Sequence, residues 1–197
     1  MTSPRIVILA SGSGSIAQAI FDAQQKGDLN VEIACVISDQ ASAKVLDRAK
    51  LAGIPSKVIA MSANRMDWDL QIISALTDLQ PDLVVSAGFM RILSSECVSK
   101  FRIVNSHPAL LPLFPGAHAV RDALAAGAIK TGTTIHWVDA GVDTGAIIAQ
   151  EEVEITPEEV RTFFKKIPSE ELPTFGAEME VSEIVIEPKI SKEEKQK

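Results

Sequence analysis

Two hydrophobic patterns alternate along the chain. Continuous apolar runs occupy residues 5–10 (RIVILA), 31–38, 57–60 and the start of DLVVSAGFMRIL at 82–93. Such runs predict strands buried on both faces, as in a parallel sheet. Between them, apolar positions recur every three or four residues, over 16–26, 42–52 and 63–79, the last through Trp68, Ile72, Ile73 and Leu76. That period predicts helices packed on the sheet. Gly53 and Pro55 end the second of them. A short helix from Ser94 to Lys100 leads to a strand at Ile103 and Val104, and 120–126 is again helical. Thr131 to Val138 alternates as a strand, and 145–155 reads as one more. Strand and helix alternate to about residue 130. This predicts a three-layer α/β fold with a mostly parallel sheet, its last two strands antiparallel at one edge.

The tail breaks the pattern. Thr156, Pro157 and Glu159 make a helix start with capping-box spacing, which Pro168 and Pro173 cut short. VSEIVI at 181–186 predicts one strand, and 189–197 predicts disorder. The expected organisation is one domain over 1–155 and a diverged, partly disordered segment over 156–197. The 197 residues and a hydrophobic fraction of 46% suit one well-filled domain with an appendage. The net charge of −7 sits mostly at the end, where residues 151–197 hold 13 Glu against seven Lys and Arg. No basic footprint is present, so no nucleic-acid partner is expected. Cys35 and Cys97 do not make a disulfide framework, which points to a reducing compartment. The opening MTSPRIVILASGSGS is too short and wrongly flanked for a signal peptide or a membrane span. The expectation is a cytoplasmic protein with no membrane partner, acting on small molecules as a monomer or homodimer.

Three stretches carry candidate chemistry. SGSGS at 11–15 lies between a strand and a helix, a layout that offers backbone N–H groups and a helix N-terminus to an anion. It has neither GxGxxG nor GK[ST], and a tight turn that binds nothing is the alternative. Asp39 ends the second strand. It is expected to cap the following helix, holding a ribose hydroxyl being the alternative. The densest stretch is NSHPALLPLFPGAH at 105–118. Asn105 and His107 are two apart and so share a side of an extended backbone. Three prolines and Gly116 shape the turn after them. Polar groups at the carboxyl end of a strand are where open α/β sheets place their chemistry. A connecting loop with a hydrogen-bonded histidine is the bland alternative.

Taken together, SGSGS at 11–15, AGFMRIL at 87–93, HPALLPLFPGAH at 107–118 and TGTTIHWVDAGVDTG at 131–145 resemble the folate-dependent formyltransferases, from Arg5 to about Val153. The resemblance implies a Rossmann-like fold. It also implies formyl transfer from 10-formyltetrahydrofolate, as co-substrate, to the amine of glycinamide ribonucleotide in de novo purine biosynthesis, without a metal. Carried over position by position, it makes Asn105, His107 and Asp143 the catalytic set. Gly14, Ser15 and Ile16 fall on the phosphate of the ribonucleotide. Arg65, Met90, Arg91, Ile92 and Leu93 fall on the folate, as do Asn105 and the loop Asp139, Ala140, Gly141, Val142 and Asp143. Within that frame the apolar lip at Met90 suits a pterin ring, and Arg65 suits the folate glutamate.

The chain departs from the family twice. Ile16 stands where the family usually has Asn, and the resemblance ends near Ile155, before the family's late contacts to the amine substrate. Formyltetrahydrofolate hydrolase is therefore an alternative, as is a folate- or nucleotide-binding protein with an impaired acceptor site. Against the hydrolase stands its usual N-terminal regulatory domain. Against methionyl-tRNA formyltransferase stands its C-terminal barrel. A metal hydrolase built on His107, His118 and His136 lacks HExxH or any close His pair.

Overall fold

A computed structural model describes residues 3–156. The expected tail elements beyond Thr156 lie outside the described residues. In chain order the elements are β1 (Arg5–Leu9), α1 (Ser15–Lys26), β2 (Glu32–Ser38), α2 (Lys44–Leu51), β3 (Ser56–Val58) and α3 (Arg65–Leu79). They continue with β4 (Leu83–Ser86), α4 (Ser95–Lys100), β5 (Ile103–His107), α5 (Ala119–Ala125), β6 (Lys130–Trp137) and β7 (Ile147–Glu154). They build one seven-stranded sheet in the order β3-β2-β1-β4-β5-β6-β7. The first five strands pair in parallel, and β6 is antiparallel to both its neighbours. This is the three-layer, mostly parallel sheet that the alternating patterns predict.

Side chains of β1 alternate between the layers. Val7 and Leu9 join Ile37, Trp68, Ile72, Leu76 and Val84 on one face, while Ile6 and Ile8 join Ala17, Phe21, Val36 and Val45 on the other. A strand apolar on both faces is what a central position in such a sheet demands. Trp68 is fully buried and donates its indole N–H to the Ile59 carbonyl at 2.9 Å, so its one polar atom is satisfied. Asn64 and Ser94 cap α3 and α4 by accepting from Met66 N and Cys97 N.

Two local expectations change. β3 covers only Ser56–Val58 rather than 57–60, with all three residues exposed, because it is an edge strand paired on one side to β2. Asp39 caps no helix. The N-cap of α2 is Ala43, without a side-chain bond, and the Asp39 carboxylate instead meets Arg91, 52 residues further on. A charged, long-range partner outcompetes the local backbone for a buried carboxylate.

The order in which successive strands are added reverses between β1 and β4. There the carboxyl ends of neighbouring strands lead to helices on opposite faces, leaving a crevice. The loops after β1 and β4 meet in it. Ser11 N donates to Gly88 O at 3.0 Å, and Met90 N donates to Ser11 Oγ at 2.8 Å. Gly14 is needed on two counts. Its φ is +71°, and a β-carbon would lie 2.6 Å from the Val45 side chain.

Candidate active site

β5 runs three residues beyond the expected Ile103–Val104, and its partner's register shows why. Asn105 pairs with His136 across the β5–β6 ladder, and His107 with Thr134. Asn105, Ser106 and His107 are therefore strand residues, and the rigid turn begins at Pro108. Thr134, fully buried, ties that turn down. Its hydroxyl donates to Ala109 O at 2.6 Å and accepts from Leu111 N at 3.0 Å. Gln150 on β7 donates to both Thr134 Oγ1 and Leu111 O, each at 2.9 Å.

The central charged group is Asp143, brought beside β5 by the turn between β6 and β7. Its Oδ2 accepts from Gly116 N at 2.7 Å and lies 3.3 Å from His107 Nδ1. Its Oδ1 accepts from Asn105 Nδ2 at 3.4 Å and lies 3.4 Å from His136 Nε2. The other nitrogen of His107, Nε2, donates to the Phe114 carbonyl at 2.8 Å. His107, 3% exposed, thus has an oxygen acceptor on each side, and only the imidazolium donates to both. At 3.3 Å the Asp143 contact is longer than the ~2.7–2.9 Å of a tight charge-assisted bond, so Nδ1 is oriented without being sealed.

His136 completes the cluster. Its Nδ1 donates to Trp137 O at 2.9 Å, which makes Nε2 the acceptor for Asn105 Nδ2 at 3.1 Å. One hydrogen of the Asn105 amide is thereby fixed on His136. The other is held only loosely, by Asp143 at 3.4 Å.

These groups border a cavity of about 580 Å³, in the range of small-molecule sites. Of the residues expected on the folate side, Met90, Arg91, Ile92, Leu93, Asn105, Asp139, Gly141, Val142 and Asp143 line it, and His107 with them. Arg65 and Ala140 do not. The Arg65 guanidinium lies over the Trp68 ring, pairs with Asp69 at 2.8 Å and donates to the Ile92 carbonyl. That last bond leaves it behind the lip rather than inside the cavity. Gly14 and Ser15 border a smaller cleft of about 230 Å³, which shares Ile16, Gly88 and Met90 with the main cavity. This cleft faces the N-terminus of α1, whose first turn carries no acidic residue. His118 is exposed at the N-cap of α5 and does not line the cavity with His107 and His136.

Asp143 has a φ of +54°, and Gly145 follows two residues later, still in the turn, because β7 begins at Ile147 rather than at the expected 145. A β-carbon on Gly145 would run into the carbonyl oxygen of Trp137, a backbone atom that cannot rotate away. Gly145→Ala is therefore expected to spread the β6–β7 turn, move Asp143 off His107 and cut kcat by at least ~10-fold. A variant with normal kcat and an unchanged melting temperature would contradict this.

With this geometry in hand, the comparisons with known proteins agree. The family described as formyl transferase matches residues 4–171, beyond the Ile155 at which the resemblance was expected to end. The chain belongs to the formyl transferase family. Within that family it is 45% identical over 155 residues to phosphoribosylglycinamide formyltransferase of Mycobacterium tuberculosis, covering 77% of this chain and 71% of that one. Against the Escherichia coli enzyme of the same name it is 42% identical over 154 residues, covering 76% and 73%. The crystal structure of phosphoribosylglycinamide formyltransferase from Bacillus halodurans superimposes with a TM-score of 0.75 at 42% identity, covering 83% of this chain and 87% of that one.

Proposed function

We infer that this chain is a phosphoribosylglycinamide formyltransferase. It moves the formyl group of 10-formyltetrahydrofolate to the amine of glycinamide ribonucleotide in purine biosynthesis. The observation that carries the reading is the convergence of Asn105, His107 and Asp143 on one cavity at the carboxyl end of β5. It is supported by the names of the relatives just given.

The amine nitrogen attacks the formyl carbon and the carbonyl electrons move to oxygen, giving a tetrahedral oxyanion. His107, as imidazolium, supplies positive charge and a hydrogen bond to that oxygen, and Asn105 supplies the loosely held N–H of its amide. His136, accepting the other N–H, fixes the orientation of that amide. Asp143 places a negative charge 3.3 Å from His107 Nδ1, and it accepts the proton that leaves the amine, directly or through water. The bond from carbon to N10 of the folate then breaks, N10 takes up a proton, and the formyl group stays on the acceptor. The proposal needs no metal, because protein groups supply both the charge and the proton path.

The loop at 11–15 is assigned to the ribonucleotide phosphate through backbone N–H groups and the α1 N-terminus. Ile16 adds an apolar wall there and no side-chain donor, its backbone N–H remaining. The lip at 90–93 and the turn at 139–143 are assigned to the folate. Arg65 is assigned a supporting role, through its bond to the Ile92 carbonyl, in place of the direct glutamate contact expected from the sequence.

The test is tetrahydrofolate formation from 10-formyltetrahydrofolate with and without glycinamide ribonucleotide. Product that depends on the acceptor is expected. Release of formate at the same rate without it would make the chain a hydrolase, and folate binding without turnover would make it a binding protein.

A further inference from the structure

The lip at Met90 to Leu93 forms one wall of the main cavity, yet packing alone does not hold it. Met90 is 59% exposed and Ile92 58%, and only Leu93 is buried. Polar tethers fix the rest. Met90 N donates to Ser11 Oγ, the Ile92 carbonyl accepts from Arg65, and Arg91 Nε donates to Asp39 Oδ2 at 2.6 Å. The last is the only tether between two full charges. The Asp39 side chain is 1% exposed and that of Arg91 33%.

We propose that Asp39 is a positioning residue for the formyl donor: it anchors Arg91 and thereby sets the 90–93 wall against which the folate binds. This rests on the assignment of that wall to the folate.

Three features favour the role over an ordinary structural one. Asp39 ends β2, which neighbours β1 and not β4, so the pair reaches across the sheet's switch point instead of stitching adjacent elements. Its Oδ1 is buried without a hydrogen-bond partner among the described residues, so Oδ2 alone takes the bonds from Arg91 and Gln40. Burial pushes the Asp39 carboxyl up, but Ser11, Arg91 and Gln40 beside it outweigh this and hold it below its ordinary value, so the group is kept charged. Arg91 is also the one Lys or Arg among the residues lining the cavity.

A double-mutant cycle on the full chain tests the proposal, using Asp39→Asn, Arg91→Met and the double variant. Asp39→Asn is expected to raise KM for 10-formyltetrahydrofolate about tenfold, the order set by one charge-assisted hydrogen bond. The change in kcat, and in KM for glycinamide ribonucleotide, should stay within about twofold. Arg91→Met should raise the same KM, and adding Asp39→Asn to it should change nothing further. Equal effects on both substrates, a fall in kcat alone, or additivity in the double variant would overturn the proposal. If the wild-type chain itself transfers no formyl group, the functional reading fails first. Equilibrium binding of 10-formyltetrahydrofolate to wild type and Asp39→Asn then still decides whether the pair sets the folate wall. A tenfold loss supports the role and equal affinity refutes it.

Discussion

His107→Ala is expected to lower kcat by ~10³-fold or more while leaving a folded protein. Two terms are lost together. The imidazolium stabilises the oxyanion, and it stands 3.3 Å from Asp143, the group that takes the amine proton. General acid–base and oxyanion contributions are each worth ~10²–10⁴ in rate. The fold should survive, because both hydrophobic clusters are built from β1 to β5 and their helices and neither includes His107. The local cost is the Phe114 carbonyl, which loses its hydrogen-bond donor at 2.8 Å. Leaving one such group unpaired costs about 1–3 kcal/mol. Single-turnover rates with circular dichroism separate the two effects. A folded variant with kcat near wild type would remove His107 from the mechanism.

Much of the architecture is legible in hydrophobic period alone. The apolar runs of β1 and β4 predict strands buried on both faces, and both lie in the interior of the sheet. The alternation over 131–138 predicts a strand, and the antiparallel edge expected of the last two strands is what β6 and β7 form. Period cannot place edges. β3 is three exposed residues beside Pro55, and nothing in its composition fixes its ends. Nor can it show that β5 continues through His107, because the continuation depends on β6 pairing with it from 31 residues away.

The site was legible in unequal parts. The Asn105–His107 spacing gave a shared side of one strand, and the ladder keeps them so. Asp143 was joined to them by resemblance, since no local spacing links a residue after β6 to one on β5. The role of His136 was missed. It was considered only as a metal ligand, although the sequence held a signal. In an alternating strand whose buried positions are Gly132, Thr134 and His136, two polar side chains point inward, and buried polar groups need partners. Asp39 was misread because capping is a local rule, and its true partner lies across the switch point of the sheet.

Asp143→Asn separates charge from shape. The side chains are nearly isosteric, and Asn tolerates the positive φ of 54° found at this position. The Gly116 N–H, 2.7 Å from Oδ2, orients the new amide by demanding an acceptor, so its oxygen takes that place. The amide nitrogen then faces Asn105 Nδ2 and His136 Nε2. The Nε2 lone pair already accepts from Asn105, so the new N–H finds no free acceptor there, and the second Asn105 N–H loses its own. The backbone is satisfied and the turn stays closed. What disappears is the negative charge 3.3 Å from His107 Nδ1, and with it the acceptor for the amine proton. We expect kcat to fall by ~10²–10⁴-fold, as for loss of a general base. Affinity for the folate should change less than ~10-fold, because the apolar lip and the 139–142 turn remain in place. Measuring kcat and folate Kd on the same preparation decides the matter. Equal losses in both would make Asp143 a binding residue, and a large loss in Kd alone would take it out of the proton path.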